Sequence, residues 1–125
     1  MAEVSGPRTL VTAIASGDLN YADPVNFRFV LKTNKDVHLC SASGQMAYGV
    51  LQNKPKDNEH ATVCVDGFTK ITAGGSLGPD GPVMTNQLGF AIAVASGGST
   101  LGRMVSGANS GYPAEMYFSF TGSGR

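Results

Sequence analysis

Glycine and proline interrupt this 125-residue chain so often that few stretches are long enough to form a helix. The chain contains 17 Gly and 6 Pro, and both residue types destabilise the interior of a helix. Almost no window between two such residues can show apolar side chains at positions i, i+3, i+4 and i+7, the spacing of an amphipathic helix. The interruptions therefore favour short strands joined by turns.

Several runs between these breaks alternate apolar and polar side chains, which is the pattern of a half-buried strand. In residues 25–32 every second side chain is apolar, with Arg28 on the polar face, and residues 37–41 continue the pattern. Residues 33–36 between them are polar and suit a turn, so we expect a hairpin. The other predicted strands cover residues 48–52, 61–65, 68–72, 90–95, 101–105 and 115–120.

Turn signals separate these strands. The Asp66-Gly67 pair lies between two alternating runs and predicts a tight two-residue turn, because glycine tolerates the positive φ that such turns require. Residues 78–82, with the sequence GPDGP, predict a loop. Seven or eight short strands with turns between them indicate a small barrel or sandwich.

The amino-terminal end differs from the rest of the chain. Residues 1–7 carry few apolar side chains and a Gly-Pro pair, so they contribute little to a core. Two interpretations stay open: a frayed chain end, or an arm that becomes ordered against a neighbouring molecule. We divide the chain into an N-terminal arm, residues 1–15, and a single β-domain, residues 16–125, a length typical of one domain.

Charge and hydropathy exclude two classes of partner. Nine basic and nine acidic side chains give a formal net charge of zero, which removes the attraction that nucleic acids and acidic membranes exert on basic proteins. The longest apolar run, residues 90–95, is far shorter than the ~20 residues that span a bilayer. The N-terminus shows no secretory signal, so we expect synthesis in a cytoplasm. In that compartment two buried free thiols at Cys40 and Cys64 are favoured over a disulfide between them, although the sequence leaves both open.

Residue types that carry catalysis are sparse. His38 lies in an alternating run and His60 in a polar turn, and neither has a second ligand at the spacing of a zinc site. No nucleophile motif or phosphate-binding loop occurs. We therefore expect no enzymatic activity and no cofactor. Binding through surface shape is the remaining explanation, with aromatic residues such as Tyr112, Tyr117 and Phe118 as anchors.

One stretch carries a more specific signal. The sequence reads GVLQNKP at residues 49–55, ATV at residues 61–63, VDGFTK at residues 65–70, and then Ala73-Gly74. This stretch resembles the centre of the small bacteriophage capsid decoration, or cement, proteins. Looser similarity extends over residues 17–107. Residues 79–82, residues 107–113 and the aromatic C-terminus depart from the family pattern, so contacts made there do not carry over.

The resemblance implies a small β-barrel or β-tulip-like domain with an extended N-terminal arm. It further implies a structural virion protein that binds the outer surface of the phage head as a homotrimer and clamps neighbouring copies of the major capsid protein. Neither nucleic acid nor membrane is expected as a partner. The interface residues predicted on this basis are Glu3, Val4, Pro7, Arg8, Asn53, Lys54, Pro55 and Tyr112.

Two other functions stay open at this stage. A receptor- or carbohydrate-binding β-module of a phage tail or fibre would bind cells or glycans and not capsids. A hydrolytic enzyme of the virion would need a convergent site around His38 or His60.

Overall fold

The computed structural model describes residues 7–16, 27–33, 36–53, 55–94 and 100–119. Within these ranges the chain forms nine β-strands and no helix, so the predicted all-β class is confirmed. Accordingly, no helix in these ranges could cross a membrane. The strands are β1 (Arg8–Ala15), β2 (Phe29–Thr33), β3 (Asp36–Leu39), β4 (Gly49–Leu51), β5 (His60–Thr72), β6 (Pro82–Thr85), β7 (Ala91–Ala93), β8 (Gly102–Met104) and β9 (Pro113–Ser119).

All nine strands belong to one sheet, in the order β1-β3-β2-β4-β5-β9-β8-β6-β7. Strand β1 also pairs with β5, so β1, β3, β2, β4 and β5 form a closed ring. The remaining strands continue from β5 as an incompletely closed sheet in the order β9-β8-β6-β7, and an isolated bridge joins Ala91 of β7 to Ala73, directly after β5. Neighbouring strands are antiparallel except β1 and β3, which are parallel. We call these two parts the ring and the open sheet.

The ring has its own apolar core, to which each of its five strands contributes. Its buried side chains are short, and they meet across the cross-strand pairs Ala13–Ala61 and Leu51–Val63. Small side chains suit a ring of only five strands, since its interior is narrow. The core consists of Ala13, Ala15, Val30, Val37, Leu51, Ala61 and Val63.

A second core lies between the outer side of the ring and the open sheet. Phe29 of β2 packs here against Phe118 of β9, with ring centroids 6.1 Å apart. Because Val30 faces the ring core, both faces of β2 are buried at its start, whereas Lys32 and Thr33 at its end are exposed. The polar face predicted for residues 25–32 is therefore present at Lys32 but not at the start of the strand, and β2 begins at Phe29. Residues 25 and 26 lie outside the described residues.

Arg28 departs from its predicted place on a polar face. Its side chain is only 9% exposed, and its guanidinium carbon lies 4.3 Å from the centroid of the Phe90 ring. The guanidinium also donates a hydrogen bond to the Leu88 carbonyl, at 3.4 Å. A planar cation stacks well on an aromatic face, which explains how a charged side chain is accommodated here.

The Asp66-Gly67 pair does not form the predicted tight turn. The runs on either side of it belong to one strand, β5, which is continuous over 13 residues. The first half of β5 pairs with β1 and β4, and the second half pairs with β9. Because other strands pair with both halves, the halves do not pair with each other as a hairpin. Gly67 has a φ of 106°, and the register with β1 shifts between Thr9 and Leu10, which marks a β-bulge.

Two strands were absent from the sequence-based prediction. Strand β1 lies within the predicted arm, residues 1–15, and pairs with both β5 and β3. Residues 8–15 are therefore part of the sheet, whereas residues 1–6 lie outside the described residues. Strand β6 begins at Pro82, the last residue of the predicted loop 78–82. The hairpin of β2 and β3 is confirmed by their antiparallel pairing.

Gly49 allows the ring to close tightly. A Cβ atom at this position would lie 2.4 Å from Val63 Cγ1 and 2.5 Å from the Cys64 carbonyl oxygen. Both distances are far below van der Waals contact, and the carbonyl belongs to the backbone of β5, so it cannot move without disturbing that strand. No side chain fits here without displacing β4 from β5.

We expect Gly49→Ala to lower the free energy of unfolding by about 1 to 3 kcal/mol, the usual cost of overpacking. Gly75→Ala is the matched control, because no atom lies within 4 Å of its added Cβ. The control should change stability by less than about 0.5 kcal/mol. Urea denaturation measures both, and equal stability of the two variants would contradict the close approach of β4 and β5.

Candidate interaction surface

An open cleft of about 140 Å³ lies where β5 passes from the ring into the open sheet. It is lined by Pro7, Arg8, Thr9, Asp66, Gly67 and Tyr117. The Pro7 carbonyl accepts a hydrogen bond from the Phe68 amide, at 3.1 Å, and so fixes the start of β1 against β5. The cleft thus combines a backbone edge, an aromatic ring and two charged side chains.

Gly67 determines the shape of this cleft. Its positive φ is unfavourable for residues with a side chain, and an added Cβ would lie 2.4 Å from the Pro7 carbonyl oxygen and 2.6 Å from Arg8 Cα. Only glycine therefore lets the start of β1 approach the bend of β5. The same residue pairs with Phe118 on the other edge of β5.

A flat surface extends from the cleft across the open sheet. Cross-strand pairing places four side chains in one row: Phe68 of β5, Tyr117 of β9, Arg103 of β8 and Pro82 of β6. Phe68 and Tyr117 form an edge-to-face pair with centroids 5.1 Å apart, and Tyr117 is 42% exposed. This geometry is favourable for aromatic rings and holds both in place.

The next row carries charge. Lys70 of β5 is paired with Glu115 of β9, and alternation along each strand puts both on the same side of the sheet as Phe68 and Tyr117. Arg103 donates a hydrogen bond to the Asp80 carbonyl, at 2.8 Å, which orients its side chain without neutralising its charge. We call the surface formed by Phe68, Lys70, Pro82, Arg103, Glu115 and Tyr117 the sheet face.

The structure brings two of the predicted interface residues, Pro7 and Arg8, to the cleft. Arg8 also donates a hydrogen bond to Gln52 Oε1, at 3.2 Å. Tyr112 is 65% exposed, but it lies five positions before Tyr117, roughly 16 Å away along β9. The assignment of these three residues to an interface stays a prediction.

Two other predicted interface residues, Asn53 and Pro55, do not line the cleft. Asn53 binds its own loop, because its amide nitrogen donates to the His60 carbonyl and its amide oxygen accepts from the Thr62 amide. Pro55 is buried. Glu3, Val4 and Lys54 lie outside the described residues.

Sequence reasoning found part of this surface. Alternation in β9 placed Tyr117 outward, and its aromatic ring marked it as an anchor. Phe118, named with it, is fully buried in the core and was wrong as an anchor. Arg103 gave no signal in the sequence, and Asp66 was interpreted only as part of a turn, because their place beside Tyr117 depends on pairing between strands distant along the chain.

Within the described ranges no three His, Cys, Asp or Glu side chains are grouped closely enough to hold a metal ion. His60 is exposed at the start of β5, and His38 is half-buried in β3.

Cys40 and Cys64 are free thiols in the interior. Burial raises the pKa of the Cys40 thiol from 9.0 to about 12, against a smaller lowering by a hydrogen bond with Thr85. Burial also raises the pKa of Cys64.

We expect neither thiol to react with a maleimide in the native protein at pH 8, since both are protonated and inaccessible. Both should react once the protein is unfolded in guanidinium. Rapid labelling of either cysteine at pH 8 without denaturant, detected by mass spectrometry, would contradict this burial.

Folding raises the pKa of Cys40, so as the pH rises the thiol of the unfolded chain loses its proton first. The free energy of unfolding therefore falls as the pH rises above 9.

Comparisons with known proteins give a match in structure. No protein-family model and no curated protein matches the chain by sequence. The fold is similar to that of the N base of head fiber gp8.5 from bacteriophage phi29, with a TM-score of 0.71 and 14% sequence identity. The alignment covers 91% of this chain and 96% of that chain. At this identity the likeness shows a shared fold, which extends over nearly the whole of both chains.

Proposed function

We propose that this chain is a structural protein of a bacteriophage head that binds the outer surface of the shell and stabilises it. The observation that carries the proposal is the similarity in fold to the base of a head fiber, which covers 91% of this chain. The sequence of residues 49–74 supports it separately, because it resembles capsid decoration proteins. Both resemblances support a structural protein of the phage head.

In this proposal the chain acts as a trimer that clamps neighbouring major capsid subunits. Each contact with the shell can be weak, because a trimer that engages several subunits at once converts modest interfaces into firm attachment. The closed ring suits this role, since five mutually paired strands leave little unpaired backbone edge to deform or to aggregate. A net charge of zero is also compatible with a site away from packaged DNA.

The described part of the proposed arm, residues 7–15, starts at the cleft. Pro7 lies in the cleft wall on one edge of β5, and Ser119 is paired with Asp66 on the other edge. Both ends of the described fold therefore lie near the bend at Gly67. This placement favours the cleft side of the domain as the side from which an arm reaches the shell.

Binding to capsids tests the proposal directly. Purified protein is mixed with mature heads that lack it, and occupancy is measured by sedimentation and gel densitometry, together with survival of the heads on heating. We expect saturable occupancy and a higher temperature of head rupture. Binding to host cells or glycans without binding to heads would favour an adhesion module instead, and occupancy without added resistance would contradict stabilisation.

We expect deletion of residues 1–6 to weaken attachment to heads by at least tenfold while the oligomeric state stays unchanged. The deletion leaves Pro7, so its hydrogen bond to the Phe68 amide is retained. A control variant in which residues 1–6 are replaced by a Gly-Ser sequence of equal length separates the effect of sequence from that of length. Unchanged affinity of the deletion variant would show that these residues make no contact with the shell.

A further inference from the structure

The sequence contains two Asp-Gly pairs, Asp66-Gly67 and Asp80-Gly81, which share the same intrinsic reactivity. In such a pair the backbone nitrogen of the glycine attacks Cγ of the aspartic acid, because glycine has no side chain to hinder the approach. A C–N bond forms, the amide proton and the carboxyl hydroxyl leave as water, and the product is a succinimide ring. Water then opens the ring at either carbonyl carbon and gives aspartate or isoaspartate, in which the main chain runs through the side-chain carbon. The reaction needs no other reactant, so the surrounding structure decides which pair reacts.

The fold protects the first pair. Asp66 is paired with Thr9 of β1 on one edge of β5 and with Ser119 of β9 on the other, and Gly67 is buried. Ring closure requires rotation about the bond between Cα and the carbonyl carbon of Asp66, and this rotation would break the pairing with both neighbouring strands. Asp66-Gly67 therefore reacts only when β5 opens locally.

The second pair lies in the loop before β6, where the restraints are weaker. Asp80 is exposed, and its φ of 65° is a left-handed conformation that aspartate tolerates better than most residues. Gly81 is half-buried, and an added Cβ would meet one atom within 4 Å, the Gly78 carbonyl oxygen at 3.5 Å. This loop therefore gives the Asp80 side chain more room to turn toward the Gly81 nitrogen than the sheet gives Asp66.

Three hydrogen bonds join this loop to β8, and none of the three uses a reacting group. The Asp80 amide donates to the Met104 carbonyl, at 2.8 Å, and the Met104 amide donates to the Gly81 carbonyl, at 2.9 Å. Arg103 donates to the Asp80 carbonyl, at 2.8 Å. The bonds leave the Gly81 nitrogen and the Asp80 carboxyl group to form the ring, and they fix the loop to one strand, whereas Asp66 is fixed between two.

We propose that Asp80 is a site of spontaneous modification, at which the Asp80-Gly81 pair converts to isoaspartate in the folded protein while the Asp66-Gly67 pair is protected. The inference goes beyond the proposed function and does not depend on it, since the reaction needs only the chain and water.

The modification changes the structure next to it. Isoaspartate adds one methylene group to the main chain between the Asp80 amide and the Gly81 carbonyl, so the two backbone bonds to Met104 lose their common geometry. Pro82 of β6 and Arg103 of β8, which are paired beside these bonds, both belong to the sheet face. Isoaspartate at this position therefore weakens the link between β6 and β8 and alters that surface.

Ageing of the purified protein tests the inference. The folded protein and the chain unfolded in guanidinium are kept at neutral pH and physiological temperature, and samples are digested with trypsin at intervals. Cleavage after lysine and arginine separates the two pairs, because Asp66 lies in the peptide 57–70 and Asp80 in the peptide 71–103. Electron-transfer fragmentation in a mass spectrometer identifies isoaspartate at each position. We expect isoaspartate to accumulate at least about tenfold faster at Asp80 than at Asp66 in the folded protein, and at similar rates in the unfolded chain.

Gly81→Ala is the matched variant. The added methyl group hinders the amide nitrogen, and its distance of 3.5 Å from the Gly78 carbonyl oxygen is ordinary van der Waals contact, so the variant should fold. It should form isoaspartate at Asp80 several-fold more slowly. Circular dichroism melts before and after ageing should show a lower unfolding temperature in the aged unmodified protein and little change in Gly81→Ala.

The comparison of Asp80 with Asp66 within one chain needs no variant, so the test holds even if Gly81→Ala fails to fold. Equal rates at the two pairs in the folded protein, or absence of isoaspartate at Asp80, overturn the inference. Isoaspartate at Asp80 with an unchanged unfolding temperature would contradict the weakened link between β6 and β8.

Discussion

Strand β5 is the element on which the rest of the structure depends. Its 13 residues run through both parts of the sheet, pairing with β1 and β4 in the ring and with β9 in the open sheet. Because one strand is shared, the two apolar cores cannot move apart without breaking backbone hydrogen bonds. Gly67, with its positive φ, lies where β5 passes from one part to the other. Beyond it β9 pairs with β5 and brings Phe118 against Phe29 of β2 in the second core.

The shared strand also explains where the surface features lie. The cleft occurs at the bend because β1 ends its pairing there while β9 begins. The aromatic pair of Phe68 and Tyr117 is the first exposed row beyond it. Surface side chains from four strands are thereby held on a rigid frame, as an interface requires if little ordering entropy is to be lost on binding.

Much of this architecture could be predicted from local sequence. The all-β class follows from the density of glycine and proline, and the β2–β3 hairpin follows from alternation with a polar turn. Local patterns could not predict which strands pair when the strands are far apart in the sequence. The Asp66-Gly67 pair has the composition of a tight turn, and only the presence of β1 and β9 on the two edges makes it a bulge in a continuous strand.

Strand β1 was missed for a related reason. Its residues from Leu10 to Ala15 are apolar at nearly every position, so no alternation marks them as a strand. The sheet face was only partly foreseen, because alternation identified Tyr117 but could not bring Arg103 or Asp66 beside it. Residue chemistry could be read from sequence, whereas the neighbours of each residue depended on the order of strands in the sheet.

Attachment to the outside of a phage head is the central claim of this account. Cryo-electron microscopy of heads assembled with and without the protein, followed by a difference map, tests it most directly. The account predicts added density on the outer surface, over the positions where capsid subunits meet, into which three copies of the nine-stranded domain fit. Density inside the shell, at the tail, or on the outer surface away from the boundaries between subunits would contradict it.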